Sequence, residues 1–124
     1  MLVIGITGGS GSGKTTVVRR IAETFPSSDV TILPQDAYYK DLGHLTDDEI
    51  KKVNFDHPDS IEWPLLVEQL DMLRAGKSIA MPIYDYVTCA RSEDSIHVEP
   101  SKVIILEGIL IFGNVEVRKR LDIK

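Results

Sequence analysis

The chain has 124 residues, 43% of them hydrophobic and 27% charged, with 14 Lys and Arg against 19 Asp and Glu and a formal charge of −5. That length suits one hydrophobic core, and the acid excess argues against a protein that grips nucleic acid by neutralising its phosphates, so any bound nucleotide should be small. One cysteine, Cys89, allows no internal disulfide, the Cys and His spacing holds no zinc motif, and no apolar run suits a signal peptide or membrane span, which together point to the cytoplasm and to no membrane partner.

Residues 2–7 form a nearly continuous apolar run, the pattern of a parallel strand covered on both faces, and lead into a glycine-rich turn over 8–13. From Thr15 onward Val17, Val18, Ile21, Ala22 and Phe25 recur at helical spacing, and Pro26 closes that helix. A second strand over 30–33 ends at Pro34 and delivers Gln35 and Asp36 at its carboxyl end, where α/β sheets bind ligands. Residues 36–58 are polar, with a short helix predicted over 46–53, and read as a functional loop rather than core. Asp59 and Glu62 have capping-box spacing ahead of a helix with the apolar stripe Ile61, Leu65, Leu66, Leu70 and Leu73, and Gly76 stands at its stop. Residues 79–84 and 95–98 predict a hairpin standing off the main sheet. A third buried strand over 103–106 ends in Glu107 and Gly108, and a helix follows over 114–121. The β-α-β rhythm predicts an α/β fold, a parallel sheet with right-handed crossovers flanked by helices, as one domain over 1–124.

Gly8-Gly9-Ser10-Gly11-Ser12-Gly13-Lys14-Thr15 satisfies G-x-x-x-x-G-K-[ST] between a predicted strand and a predicted helix, as a phosphate-binding loop requires. Glycines let consecutive backbone N–H groups turn toward phosphate oxygens, and the helix that starts there adds its positive end. Lys14 is expected to reach the β- and γ-phosphates and the Thr15 hydroxyl to hold Mg²⁺, with Thr16 beside them in the cradle. A dinucleotide G-x-G-x-x-G is excluded, because its third glycine would fall on Lys14 or Thr16.

Phosphoryl transfer to an alcohol needs a carboxylate near the acceptor hydroxyl and metal ligands near the phosphates. Asp36 and Glu107 follow two parallel strands and so should share an edge with the phosphate loop. Asp36 is assigned as the base, in reach of the metal, and Glu107 as a magnesium partner, directly or through water. Asp36 taken alone could equally stabilise a turn, whereas Glu107 after an apolar strand should face a cation or solvent.

Five blocks in order then resemble the uridine kinase and phosphoribulokinase family: the phosphate loop from Thr7, Gln35-Asp36-Ala37-Tyr38-Tyr39-Lys40, Asn54-Phe55-Asp56-His57-Pro58-Asp59, Pro82-Ile83-Tyr84-Asp85-Tyr86 and Glu107-Gly108-Ile109-Leu110. The resemblance to uridine kinases implies transfer of the γ-phosphoryl group of ATP or GTP to the 5′-hydroxyl of uridine or cytidine in pyrimidine salvage, in a homo-oligomer. It implies Asp36 as base, Asp56 on the ribose hydroxyls, and Tyr84 and Tyr86 lining the pyrimidine pocket. A phosphoribulokinase- or pantothenate kinase-like acceptor, or a nucleotide-binding module without turnover, is the alternative.

The chain departs from the pattern in two ways. Cys89 occupies the position where the family commonly has a histidine reading the pyrimidine edge, so it is a candidate substrate contact or a small filler. Family members also continue past the position of Lys124 with a further strand and an arginine-bearing lid. The first strand is therefore expected to show an unpaired apolar edge, left by a shortened chain or covered by a second one.

Overall fold

In the computed structural model the described residues are 1–8, 13–53, 57–85 and 88–123, without the side chains of Thr15 and Ser27. Three parallel strands, β1 (Leu2–Ile6), β2 (Val30–Pro34) and β5 (Val103–Glu107), form a sheet in the order β1-β5-β2. Leu2 and Val30 both stand opposite Val103 at one end, while Ile6 and Pro34 both stand opposite Glu107 at the carboxyl edge. Two antiparallel strands, β3 (Ile79–Asp85) and β4 (Ala90–Val98), make the separate hairpin, with an irregularity between Pro82 and Tyr84.

Alternation along the strands explains why both sheet faces are covered. Val3, Leu33, Ile104 and Leu106 face a core completed by Leu66, Leu70 and Leu73 of α3 (Trp63–Arg74) and Val117 of α4 (Val115–Arg120). Ile4, Val103 and Ile105 face the other way onto Val18, Ile21 and Ala22 of α1 (Lys14–Glu23). Val17, expected on that stripe, is instead 46% exposed, because α1 presents the Val18–Ile21–Ala22 side to the sheet.

The polar stretch after β2 is more structured than expected. A 3₁₀ turn at Gln35–Tyr38 buries Gln35 and Tyr38, and Tyr39 is buried as well. Tyr38 donates its hydroxyl hydrogen to Gln69 Oε1 at 2.6 Å, and Gln69 Nε2 donates to the Ala80 carbonyl at 3.0 Å, so one buried side chain joins loop, α3 and hairpin. A second helix, α2 (Asp47–Lys51), is capped at Thr46 by a capping box with Glu49.

The capping box expected from Asp59 and Glu62 does not form. Residues Pro58–Ser60 make their own 3₁₀ turn, in which His57 Nδ1 accepts the Asp59 N–H at 3.0 Å. Helix α3 begins at Trp63 with a proline in its first turn, Glu62 makes no cap bond, and its carboxylate is paired with Arg91 of the hairpin. The helix ends at Gly76 with the Lys77 N–H on the Met72 carbonyl and the Gly76 N–H on the Leu73 carbonyl.

The outer edge of β1 is partly paired, against the expectation of a bare one. Ile123 bridges Ile4 in parallel, the Gly5 N–H donates to the Ile123 carbonyl at 2.8 Å, and the Asp122 N–H donates to the Val3 carbonyl at 2.8 Å. Asp122 Oδ2 also accepts the Val3 N–H at 2.8 Å. Among the described residues no helix is long and apolar enough to cross a membrane.

Candidate active site

The turn that follows β1 enters α1 through Gly13, whose φ of +81° is a left-handed conformation that residues with a Cβ rarely adopt. Gly13 makes no side-chain cap, and the first turn of α1 carries no acid, which leaves the positive end of a ten-residue helix uncompensated where a phosphate is expected. Gly8 lies at the start of this turn. Gly9, Ser10, Gly11 and Ser12 lie outside the described residues, as does the side chain of Thr15, while Thr16 is exposed on α1.

Lys14, the first residue of α1, extends across the sheet edge to Glu107 at the end of β5, Nζ to Oε2 at 2.6 Å. Both side chains are about one-fifth exposed, 19% and 22%, so the pair is partly shielded yet open to a ligand. Asp36, in the turn after β2, belongs to the same electrostatic cluster. Its surface is open to solvent, but its inner side is crowded. Partial burial pushes its carboxyl above the ordinary Asp range, the Glu107 charge pushes it further, and Lys14 pulls the other way. The structure thus brings together the three charged residues that the sequence singled out.

The backbone around them is held tightly. The Gly108 N–H donates to the Ile6 carbonyl at 3.1 Å, and Thr7 Oγ1 donates to the Ile109 carbonyl at 3.3 Å, tying the mouth of the phosphate loop to the turn after β5. Gln35 Oε1 accepts the Leu110 N–H at 2.7 Å. The sequence assigns Gln35 no role; a polar residue directly after an apolar strand and one position before a candidate base is the signal that could mark it.

Among the described residues no three His, Cys, Asp or Glu side chains cluster tightly enough to hold a metal alone. The donors present, two carboxylates and a hydroxyl residue at position 15, are hard oxygen ligands. They fit Mg²⁺, an ion bound through one or two carboxylates plus phosphates and water rather than by a protein cage. The mutual repulsion felt by Asp36 from Glu107 fits a cation at that edge as well.

Strand β3 packs on the turn that carries Asp36. Tyr84, near the turn end of the hairpin, is buried, its ring centroid 5.2 Å from that of Tyr39 at 45°. Cys89, in the hairpin turn at φ +53°, is partly buried against the larger core, and its carbonyl accepts the Leu42 N–H at 2.8 Å. Asp56 and Tyr86 lie outside the described residues. Arg91, which pairs with Glu62, escaped the sequence reading because partners 29 residues apart carry no periodic signal.

Comparison with known proteins places this geometry. The family model described as "Phosphoribulokinase / Uridine kinase family" matches residues 3–124. The chain is 50% identical over 123 residues to a uridine kinase of Limosilactobacillus reuteri (strain DSM 20016), covering 99% of this chain and 56% of that protein. It is 48% identical over 124 residues to a uridine kinase of Lactobacillus johnsonii, covering 99% of this chain and 59% of that one. The chain therefore spans little more than half the length of these curated relatives. A solved structure described as a possible uridine kinase from Bacillus stearothermophilus superposes with a TM-score of 0.71 at 25% identity, over 98% of this chain and 67% of that one. A D-glycerate 3-kinase from Cryptococcus neoformans shares the fold, with a TM-score of 0.62 at 22% identity over 89% of this chain and 43% of its own. With a family match that runs from the first strand to the last residue, the chain belongs to the phosphoribulokinase/uridine kinase family.

Proposed function

We propose that this chain supplies the phosphate-gripping and acceptor-positioning half of a nucleoside kinase that moves the γ-phosphoryl group of ATP or GTP to the 5′-hydroxyl of uridine or cytidine. The observation that carries the reading is the convergence of Lys14, Glu107 and Asp36 on one sheet edge beside the glycine turn. In this reading the backbone N–H groups of 8–13 and the start of α1 bind the phosphates, and the Lys14 ammonium moves from Glu107 onto the β- and γ-oxygens as charge develops there. Thr16 lines the same cradle.

Asp36 accepts the proton of the 5′-hydroxyl while that oxygen forms its bond to phosphorus and the bond to the departing ADP oxygen breaks. Its raised pKa makes it a better proton acceptor than an ordinary aspartate. Thr15, Glu107 and Asp36 would hold Mg²⁺, which when bound neutralises phosphate charge. Asp56 is assigned to the ribose hydroxyls, and Tyr84 and Tyr86 to the walls of the base pocket. Cys89, a weak hydrogen-bond partner, lies near that pocket in the hairpin turn and would read the pyrimidine edge only loosely. A cytoplasmic homo-oligomer working in pyrimidine salvage completes the reading, which rests on the family match and on the names of the relatives.

A coupled assay of ADP release tests it, with MgATP and uridine, cytidine, ribulose 5-phosphate, pantothenate or no acceptor, on this chain and on a form extended to the relatives' length. Release that depends on uridine or cytidine supports the reading. Release with one of the other acceptors alone moves the chain to another branch of the family, and ATP binding without release in either form makes it a binding module.

A further inference from the structure

Gln35 is fully buried at the end of β2, one residue before Asp36. Its Oε1 accepts the Leu110 N–H, and a Cβ placed on Gly108 would lie 2.4 Å from both its Cβ and its Oε1. The side chain therefore lies flat across the backbone that follows Glu107, in a gap that only a glycine leaves open. Its Nε2 is buried with no hydrogen-bond partner among the described residues, and an unmet buried donor costs about 1–3 kcal/mol. A methionine would fill the same space without that penalty, so what the amide adds is the bond made by its oxygen.

We propose that Gln35 is a positioning residue whose carboxamide ties the turn after β5 to the end of β2 and so sets the spacing between the Asp36 and Glu107 side chains. Glu107 and Leu110 bracket a three-residue step, with Gly108 pinned to Ile6 on one side and Leu110 pinned to Gln35 on the other. Releasing the second pin lets the turn drift while the strand stays paired. The proposal rests on the nucleoside kinase reading only for what the spacing serves: a misplacement of about 1 Å can slow transfer up to about 100-fold without weakening binding.

Three variants test it. Gln35→Met keeps length and removes the acceptor, Gln35→Glu keeps an acceptor oxygen, and Gly108→Ala pushes aside an intact Gln35. Hydrogen exchange at the Leu110 amide is followed by NMR, with kcat and KM for ATP and uridine measured in the extended form. Gln35→Met should speed Leu110 exchange roughly tenfold or more and lower kcat by about 10- to 100-fold with both KM values nearly unchanged. Gly108→Ala should do the same, the double variant should be no worse than the worse single one, and Gln35→Glu should keep Leu110 protected. A folded Gln35→Met protein with wild-type Leu110 protection and kcat overturns the proposal, as do single effects that simply multiply. If Gln35→Met fails to fold, normal kcat and exchange in folded Gly108→Ala overturn it instead. Should the wild type phosphorylate no nucleoside, the substrate reading fails, and Leu110 exchange still decides the clamp.

Discussion

Asp36 sits where stability and reactivity pull apart. Its carboxyl is raised by partial burial and by Glu107, so the folded state favours the protonated form. Such a group contributes full stability below its unfolded pKa of about 3.9 and loses that contribution as pH rises through the folded value. Above the folded value the ionised carboxylate is therefore destabilising. Asp36→Asn should raise the Tm at pH 7 in divalent-free buffer, and the difference should shrink toward pH 3; a lower Tm at pH 7 would contradict this. The same substitution should cost roughly 10²–10⁴ in kcat if Asp36 is the general base. Because the base must be ionised, kcat should fall as pH drops through the raised pKa, and Glu107→Gln, which removes a raising charge, should move that acid limb to lower pH in a pH–rate profile. The candidates Lys14, Asp36 and Glu107 were legible because strand ends and a spaced motif mark them. Gln35 and Arg91 were not, since their meaning lies in contacts with Leu110 and Glu62 that no local pattern encodes.

At the scale of elements, an ion pair helps hold the hairpin to the start of α3. Arg91 on β4 pairs with Glu62 at the start of α3, and the Glu62 N–H donates to the Tyr38 carbonyl at 2.8 Å, so one acid connects hairpin, helix and the turn that carries Asp36. Both partners are partly exposed, which limits the pair's worth to stability. Its effect should appear in acceptor binding. Arg91→Gln should raise the KM for uridine severalfold and leave the KM for ATP unchanged in steady-state kinetics. The capping box expected at Asp59 and Glu62 failed because spacing alone cannot tell that residues 58–60 close a 3₁₀ turn of their own and that α3 starts only at Trp63. Thr46 and Glu49 do form theirs. Strand β4 runs longer than its apolar residues suggest, since cross-strand pairing from Asp85↔Ala90 onward sustains its exposed polar part.

The molecule is built on a short parallel sheet with helices packed on both faces, and that was the most legible feature of the sequence: apolar runs of four or five residues with no alternation leave few other solutions. Ile104 and Ile105 face opposite cores and are each fully buried, so alanine at either should cost about 2–5 kcal/mol in denaturant unfolding. Less legible was the edge of β1, where Asp122 and Ile123 pair with a strand 119 residues away in sequence. The sheet brings a lysine and two carboxylates to one edge, where the proposed phosphoryl transfer to a nucleoside would take place. The most direct measurement follows label from γ-labelled ATP in the presence of Mg²⁺ with uridine, cytidine or 5′-deoxyuridine, in a form extended to the relatives' length. Labelled uridine or cytidine monophosphate, with none from 5′-deoxyuridine, is the result predicted; ATP bound but no labelled nucleotide from either nucleoside would contradict it.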